Sequence, residues 1–520
     1  MTAKISSWHA VWLAMRSWRT ASVSLLSFSS GLPLGLVWIA IPTWLARADV
    51  DIKIIGLFTL AQAPWSFKFL WSPLLDRYSL PALPLGRKLG WTLFWQIGLL
   101  IATLLLGGVA SHPDAIWIIA ALTFAIAFAS ASQDIVVDAY AVEVLRPEEQ
   151  GVAVGARTAL YRAAMFVSGG AAITLAGLWS WPVVFMLIAL LYLPFMLVTA
   201  LAPRPEFDQT GTPMSLRAAV WEPFVSFLTK ARALEILAFV VLYKLADNLA
   251  GALVRPFLVQ IGYNDFDVGI ATATIGLFAT LLGTLLGGVL TTSMGLGHAL
   301  WVFGILQIAS NFGYVLIADI GVDRPLMYGA MAFESLTSGM GTGAFGVLLL
   351  RMTQKQFSAT QYALFSSLFA LPRILAGPVT GLTVDALGWH DFFILTMVIG
   401  IPGMVLLQRF SPLGVRDPDM EALATGHGLP ITRRALARRA LFGGVLGTAL
   451  AACVAALLGA FRQMRAAPQE NFDLWTPLAA LVAPQGAGGW MELVGILLFG
   501  ALMALTTAAA AAAKARNQRR

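Results

Sequence analysis

Charge is scarce in this chain. Only 12% of its 520 residues are Asp, Glu, Lys or Arg, against about 25% in soluble domains, which excludes a soluble globular protein. A single cysteine, Cys453, excludes an intrachain disulfide and a cysteine-built metal site. The five histidines are scattered, and no two have zinc-ligand spacing. The apolar runs are continuous rather than alternating, which excludes a β-barrel. No sizeable polar segment is left for a soluble output domain, which speaks against a sensor.

What is abundant is apolar: 58% of residues are hydrophobic and the mean hydropathy is +0.78. Fourteen runs of membrane-crossing length fall at 22–45, 54–75, 90–110, 115–140, 155–178, 182–202, 234–258, 267–292, 299–319, 325–350, 360–384, 391–410, 440–462 and 490–513. They predict an all-α polytopic membrane protein with fourteen spans. An even count puts both ends on one side. Of the 34 Lys and Arg, 23 fall in the segments on the N-terminal side, only five in those on the other side, and six within spans. That asymmetry makes the N-terminal side cytoplasmic. The net charge of +7 is therefore topological and requires no nucleic acid. Ala46-Arg47-Ala48 mimics a signal-peptidase site, but the run before it is too long for a signal core, so it is expected to remain as the first span.

A Pro-containing polar linker divides the first twelve spans. The expected domains are a cytoplasmic N-terminus (1–21), a six-helix half (22–202), a linker (203–233) and a second half (234–410). A second linker (411–439), two added spans (440–513) and a basic tail (514–520) follow. The halves echo each other: Leu145-Arg146 ends one span as Leu350-Arg351 ends another, and Arg162 corresponds to Arg373. Two parallel six-helix repeats are the pattern of major facilitator carriers, with substrate held between the halves.

Several polar residues stand within the apolar runs. Asp134 and Asp138 are four apart and share a helix face. Acids in a span are costly, so that face looks into protein or water. They are candidates for proton coupling, Asp134 first because it is the deeper; the plainer reading is solvation near the inner end. Glu334 and Asp247 are further proton candidates. Lys244 is three residues before Asp247 and can pair with it, either as a structural pair or as one that opens for substrate. Lys68, Gln133, Arg162, Gln361 and Arg373 are candidate substrate contacts, and Trp38, Trp65, Tyr161 and Tyr243 candidate stacking surfaces for sugar rings. With 17 tryptophans in the chain, many belong to interfacial belts. Asp76, Arg77, Arg87 and Lys88 form a charged loop between spans two and three. It acts either as a gate latch or as an orientation signal. The corresponding loop after span eight, Thr291 to Gly297, has no charge.

Ser29-Ser-Gly31-Leu-Pro33-Leu, Phe67-Lys68-Phe-Leu-Trp71-Ser72-Pro73-Leu-Leu-Asp76-Arg77-Tyr78 and Ala131-Ser132-Gln133-Asp134-Ile-Val-Val-Asp138-Ala139 resemble the AmpG family of muropeptide permeases. So do Tyr243-Lys244-Leu-Ala-Asp247, Phe333-Glu334, Gly339-Met-Gly341-Thr, Phe357-Ser-Ala-Thr360-Gln361-Tyr-Ala-Leu and Gly377-Pro378-Val. The likeness keeps motif order over roughly 20–410. It implies a major facilitator fold and proton-driven import of N-acetylglucosaminyl-anhydro-N-acetylmuramyl peptides across the bacterial inner membrane. Such uptake feeds murein recycling and, in some bacteria, beta-lactamase induction. The implied partners are a sugar-peptide, protons and the bilayer, with no cofactor or metal; the oligomeric state stays open, a monomer being compatible. The alternatives are a carrier of another solute, such as an acyl-CoA or a siderophore, or a membrane-embedded transferase using Asp134-x-x-x-Asp138.

Overall fold

The computed structural model describes residues 7–50, 54–55, 58–80, 85–112, 115–205, 216–230, 232–420, 432–466 and 473–516. The tail residues 517–520 and parts of the two expected linkers, 206–215, 231 and 421–431, lie outside these. Among the described residues the chain is helical, with no β-strand.

Helix α1 (Ser7–Arg16) precedes α2 (Trp18–Arg47). Pro33 lies inside α2, and a π-helical turn follows at Leu36–Ala40, consistent with the hydrogen bond that proline cannot make. The second expected span is broken. Short α-helices α3 (Ala63–Phe67) and α4 (Ser72–Arg77) alternate with 3-10 turns. Pro64 and Pro73 sit in the first turns of α3 and α4, where a missing N–H costs nothing. The first half continues with α5 (Arg87–Val109), α6 (Ile116–Val144), α7 (Gln150–Ala176) and α8 (Trp181–Leu201).

After α9 (Leu216–Leu228) come α10 (Ala233–Ile261), α11 (Asp265–Met294), α12 (Leu296–Ile320), α13 (Arg324–Met352) and α14 (Ser358–Phe410). Gly388, at φ +78°, breaks α14 between its two expected spans. The chain ends with α15 (Arg433–Ala466), α16 (Trp475–Val482) and α17 (Gly486–Arg516). Among the described residues eleven helices are long and apolar enough to cross a membrane. Helix α13, the first part of α14 and the fragmented 59–77 stretch are outside that set.

The chain divides into two units, Met1–Ala219 with Glu235–Met420, and Val220–Leu234 with Glu421–Arg520. In the second unit α15 and α17 form a close pair. A Cβ on Gly447 would lie 2.6 Å from the Cβ of Met503, and Thr507 donates to the Arg439 carbonyl at 3.0 Å.

In the first unit each half has its own apolar core. One is built on Leu32, Leu99, Ile126 and Phe185, the other on Phe257, Tyr314, Met327 and Phe393. The halves meet backbone to backbone where α7 crosses α11: a Cβ on Gly155 would stand 2.7 Å from the Thr284 carbonyl oxygen, and one on Gly288 2.8 Å from the Gly155 Cα. Only glycine permits that approach. Helix α11 then packs on α13 in the same way, with a Cβ on Gly339 2.7 Å from the Thr280 carbonyl.

Candidate translocation site

Two charged clusters lie in the two halves, beside a closed seam. In the first half, α6 presents Asp134 and Asp138, both buried. Asp138 is held between two cations: Arg157 of α7 donates to it directly, and the Lys68 Nζ lies 3.6 Å away. The break in the second span sets Lys68 there, in the 3-10 turn between α3 and α4. Asp134 has no ion-pair partner among the described residues; Tyr161 donates its hydroxyl to it at 3.4 Å. The Arg157 guanidinium also lies over the ring of Tyr362, 5.9 Å from its centroid. Tyr362 belongs to α14, so this cluster touches the other half.

The second cluster centres on Lys244, at a break in α10. Its ammonium donates to Asp247 at 2.7 Å, to the Ser338 carbonyl at 2.9 Å, to the Ser338 hydroxyl at 3.2 Å and to Gln307. Gln307 in turn donates to the Tyr243 hydroxyl at 3.4 Å. Glu334, one turn before Ser338 on α13, is half-buried and within electrostatic range of Asp247 and Lys244. Lys244 thus pins α10 to α12 and α13. Replacing Lys244 by Met leaves Asp247 unpaired, with an expected loss of about 3–5 kcal/mol. The double replacement Lys244→Met, Asp247→Leu should recover most of it, read as thermal unfolding of the purified protein. Equal losses in single and double variants would deny the pair a structural role.

At one end of the bundle the halves are tied by charge. Asp76 takes the Lys88 ammonium at 2.6 Å, and Arg87 donates to its backbone carbonyl at 2.6 Å. The same Asp76 carboxylate accepts the Ala359 N–H at 3.1 Å and the Thr360 N–H and hydroxyl, each at 2.8 Å. These lie at the N-terminus of α14, where free N–H groups and the helix dipole favour an anion. Glu143, at the end of α6, accepts from Ser358 at 2.5 Å and stands 3.7 Å from Arg87 and 3.8 Å from Lys88. All four charged groups are buried.

The pseudo-equivalent place across the seam is neutral. Thr292 of α11 accepts the Val152 N–H at 3.1 Å, near the N-terminus of α7. Beside it Arg351 donates to Gln150 at 3.2 Å and to Asp417 at 2.5 Å. Burial would raise the Asp417 carboxyl, but the Arg351 hydrogen bond and charge, with the Leu296 N–H, hold it below the usual carboxylate range.

The other expected residues are more dispersed. Gln133 donates to Ser29 at 2.9 Å inside a buried network with Gln96 and Thr199, within the first half. Gln361 accepts the Gln354 N–H at 2.7 Å. Trp38 and Trp65 meet edge to face, 6.1 Å between centroids. Arg77 lies over the Tyr78 ring at 4.8 Å. Arg162 is half-buried on α7, and the side chain of Arg373 lies outside the described residues. Glu143, Gln307, Ser338 and Tyr362 were not singled out from the sequence. For Glu143 a signal existed: it is a third acid on the helix of Asp134 and Asp138, close to the level of the charged loop.

The sequence profile of the Major Facilitator Superfamily matches residues 23–377. An anhydromuropeptide permease of Escherichia coli (strain K12) is 43% identical over 391 residues, covering 75% of this chain and 79% of that one. A putative transporter, AmpG 4, of Rickettsia felis is 28% identical, covering 76% and 97%. Among solved structures, a bacterial homologue of the iron transporter ferroportin in an outward-facing state aligns with TM-score 0.57 at 12% identity, covering 75% and 98%. The human organic anion transporter MFSD10 aligns with TM-score 0.55 at 15% identity, covering 75% and 99%; both likenesses concern the fold. The relatives are permeases and transporters rather than enzymes, which leaves the transferase reading of Asp134-x-x-x-Asp138 without support. With its helical repeats, its paired halves and these relatives, the chain belongs to the Major Facilitator Superfamily and, within it, to the family of AmpG-type anhydromuropeptide permeases.

Proposed function

We propose that this protein imports anhydromuropeptides across the bacterial inner membrane, coupled to protons, by alternating access between halves 22–202 and 234–410. The observation that carries this reading is the 43% identity to an anhydromuropeptide permease over 391 residues. The clusters support it: a sugar bearing a peptide offers carboxylates, an amine and sugar faces. Lys68, Arg157, Asp134, Glu334 and Tyr161 provide complementary charge and stacking area. Fourteen spans with both termini cytoplasmic fit the distribution of Lys and Arg, with 411–439 a linker and 440–513 two added spans. On that orientation the Asp76–Glu143 end is the cytoplasmic gate. Its closure, with Asp76 on the N-terminus of α14, corresponds to an outward-facing carrier. Uptake would feed peptidoglycan recycling and, in bacteria that have it, beta-lactamase induction.

Labelled anhydromuropeptide should accumulate in proteoliposomes under an imposed inward proton gradient, and collapsing the gradient should stop accumulation. Uptake indifferent to the gradient would remove the coupling. Competition by a CoA ester or a siderophore, but not by muropeptide, would change the cargo.

A further inference from the structure

Helix α1 is used by nothing described so far, yet it lies across the seam between the halves. Its two buried residues, Val11 and Ala14, pack with Val152 of α7, and Val289 of α11 joins the same cluster. One half contributes Val152 and the other Val289. The flank of α1 next to Val11 is apolar and uncovered: Trp8 is 64% exposed, Trp12 48% and Met15 64%, while the exposed His9 and Arg16 stand opposite the buried pair.

Four observations bear on what meets that flank. Ser17 breaks the helix with extended backbone, and its hydroxyl donates to Glu149 at 2.5 Å, so α1 turns sharply off the start of α2. Trp18 donates to the Leu201 carbonyl at the end of α8, which places α1 level with the ends of α2, α7 and α8, where the bilayer stops. Leu285 and Leu286 of α11, one turn from Val289, are also exposed, so the uncovered face of α1 continues a lipid-facing surface. The Arg16 guanidinium lies over the Trp12 ring, 4.1 Å from its centroid. Tryptophan with a cation beside it is the chemistry of the headgroup layer.

We propose that α1 is a membrane-surface strap: Trp8, Trp12 and Met15 enter the lipid headgroup boundary while Val11 and Ala14 span the α7–α11 seam. The strap must leave Val289 when that end of the bundle opens. Such a helix lies in the plane of the membrane and is held by buried apolar area with electrostatic help. The cost of breaking its contacts adds to that of opening the gate.

Two measurements in proteoliposomes test this, both in a Cys453→Ser background. A nitroxide on Met15→Cys should be broadened more by oxygen than by a soluble nickel complex, with the reverse at Glu148→Cys on the exposed loop. A nickel-dominated signal at position 15, or broadening by a second label, would put water or another copy on that face and overturn the lipid assignment. The pair Ala14→Cys, Val289→Cys should form a disulfide in high yield, and markedly less when Asp76→Ala opens the gate. An unchanged yield overturns the strap. The uptake arm rests on the proposed transport: the disulfide should stop uptake and reduction should restore it. If the reduced pair takes up no anhydromuropeptide, the transport reading falls, while the crosslinking yields still decide the strap.

Discussion

Asp134→Asn should fold normally and lose accumulation driven by the proton gradient. Asp138 is engaged by Arg157 and Lys68, so protonating it would strand two buried cations. Asp134 has no ion pair among the described residues; the Tyr161 hydroxyl donates to it at 3.4 Å, and the Ser30 hydroxyl and the more distant Lys68 and Arg157 charges act on it. It can therefore gain and lose a proton at the smaller cost to its neighbours, and asparagine imitates only the protonated form. Substrate counterflow without a gradient should survive, because the charges of Lys68 and Arg157 remain. Asp138→Asn should behave differently: breaking a buried pair costs about 3–5 kcal/mol, and the loss should appear first as less folded protein. Gradient-driven accumulation by Asp134→Asn at the unsubstituted rate would move the proton site elsewhere, with Glu334 next in line.

Asp76→Ala should release the gate end. The carboxylate receives one ammonium, two backbone N–H groups and one hydroxyl, and hydrogen bonds to charged groups contribute about 1.5–3 kcal/mol each. A net loss on the order of 3 kcal/mol from the closed form would shift the populations about a hundredfold. Spin labels at Glu148→Cys and Lys355→Cys, both exposed, should then report longer separations by double electron–electron resonance. Asp76→Asn, which keeps one acceptor oxygen but loses the other and the charge, should fall between. Identical distance distributions for all three proteins would mean that the seam is held by something other than Asp76.

How much of this was readable in the sequence depends on how local each feature is. The apolar runs follow from hydropathy, and the shared face of Asp134 and Asp138 from helical spacing. The charged loop at Asp76 stood out because its residues are adjacent in the chain. Its receptor did not: Thr360 is 284 residues away, and nothing local in Ser358-Ala-Thr360 marks an anion site until a carboxylate is placed beside it. Lys244 was legible as the partner of Asp247, three residues on, but not of Gln307 or Ser338, 63 and 94 residues distant. The second span was read as one run, because hydropathy averages over Pro64 and Pro73, whereas the backbone restarts at both. That break carries Lys68 to Asp138, so the miss concerned the site as well as the fold.

The two crossings between the halves are chemically unlike. At α4 and α14 side chains interlock through charge. At α7 and α11, Gly155 faces Gly288 and the direct link is one neutral hydroxyl, Thr292, with the Arg351–Gln150 hydrogen bond beside it. A glycine crossing has no knobs to disengage, so the two helices can part on it with few side chains to move; what must be broken there is the Arg351–Gln150 hydrogen bond and the cover of α1. On the proposed rocking of the halves, the glycine crossing is the looser contact and the Asp76 side is a clasp. Bulk added at Gly155 would wedge the two helices apart, whereas a lesion at Asp76 unfastens the clasp.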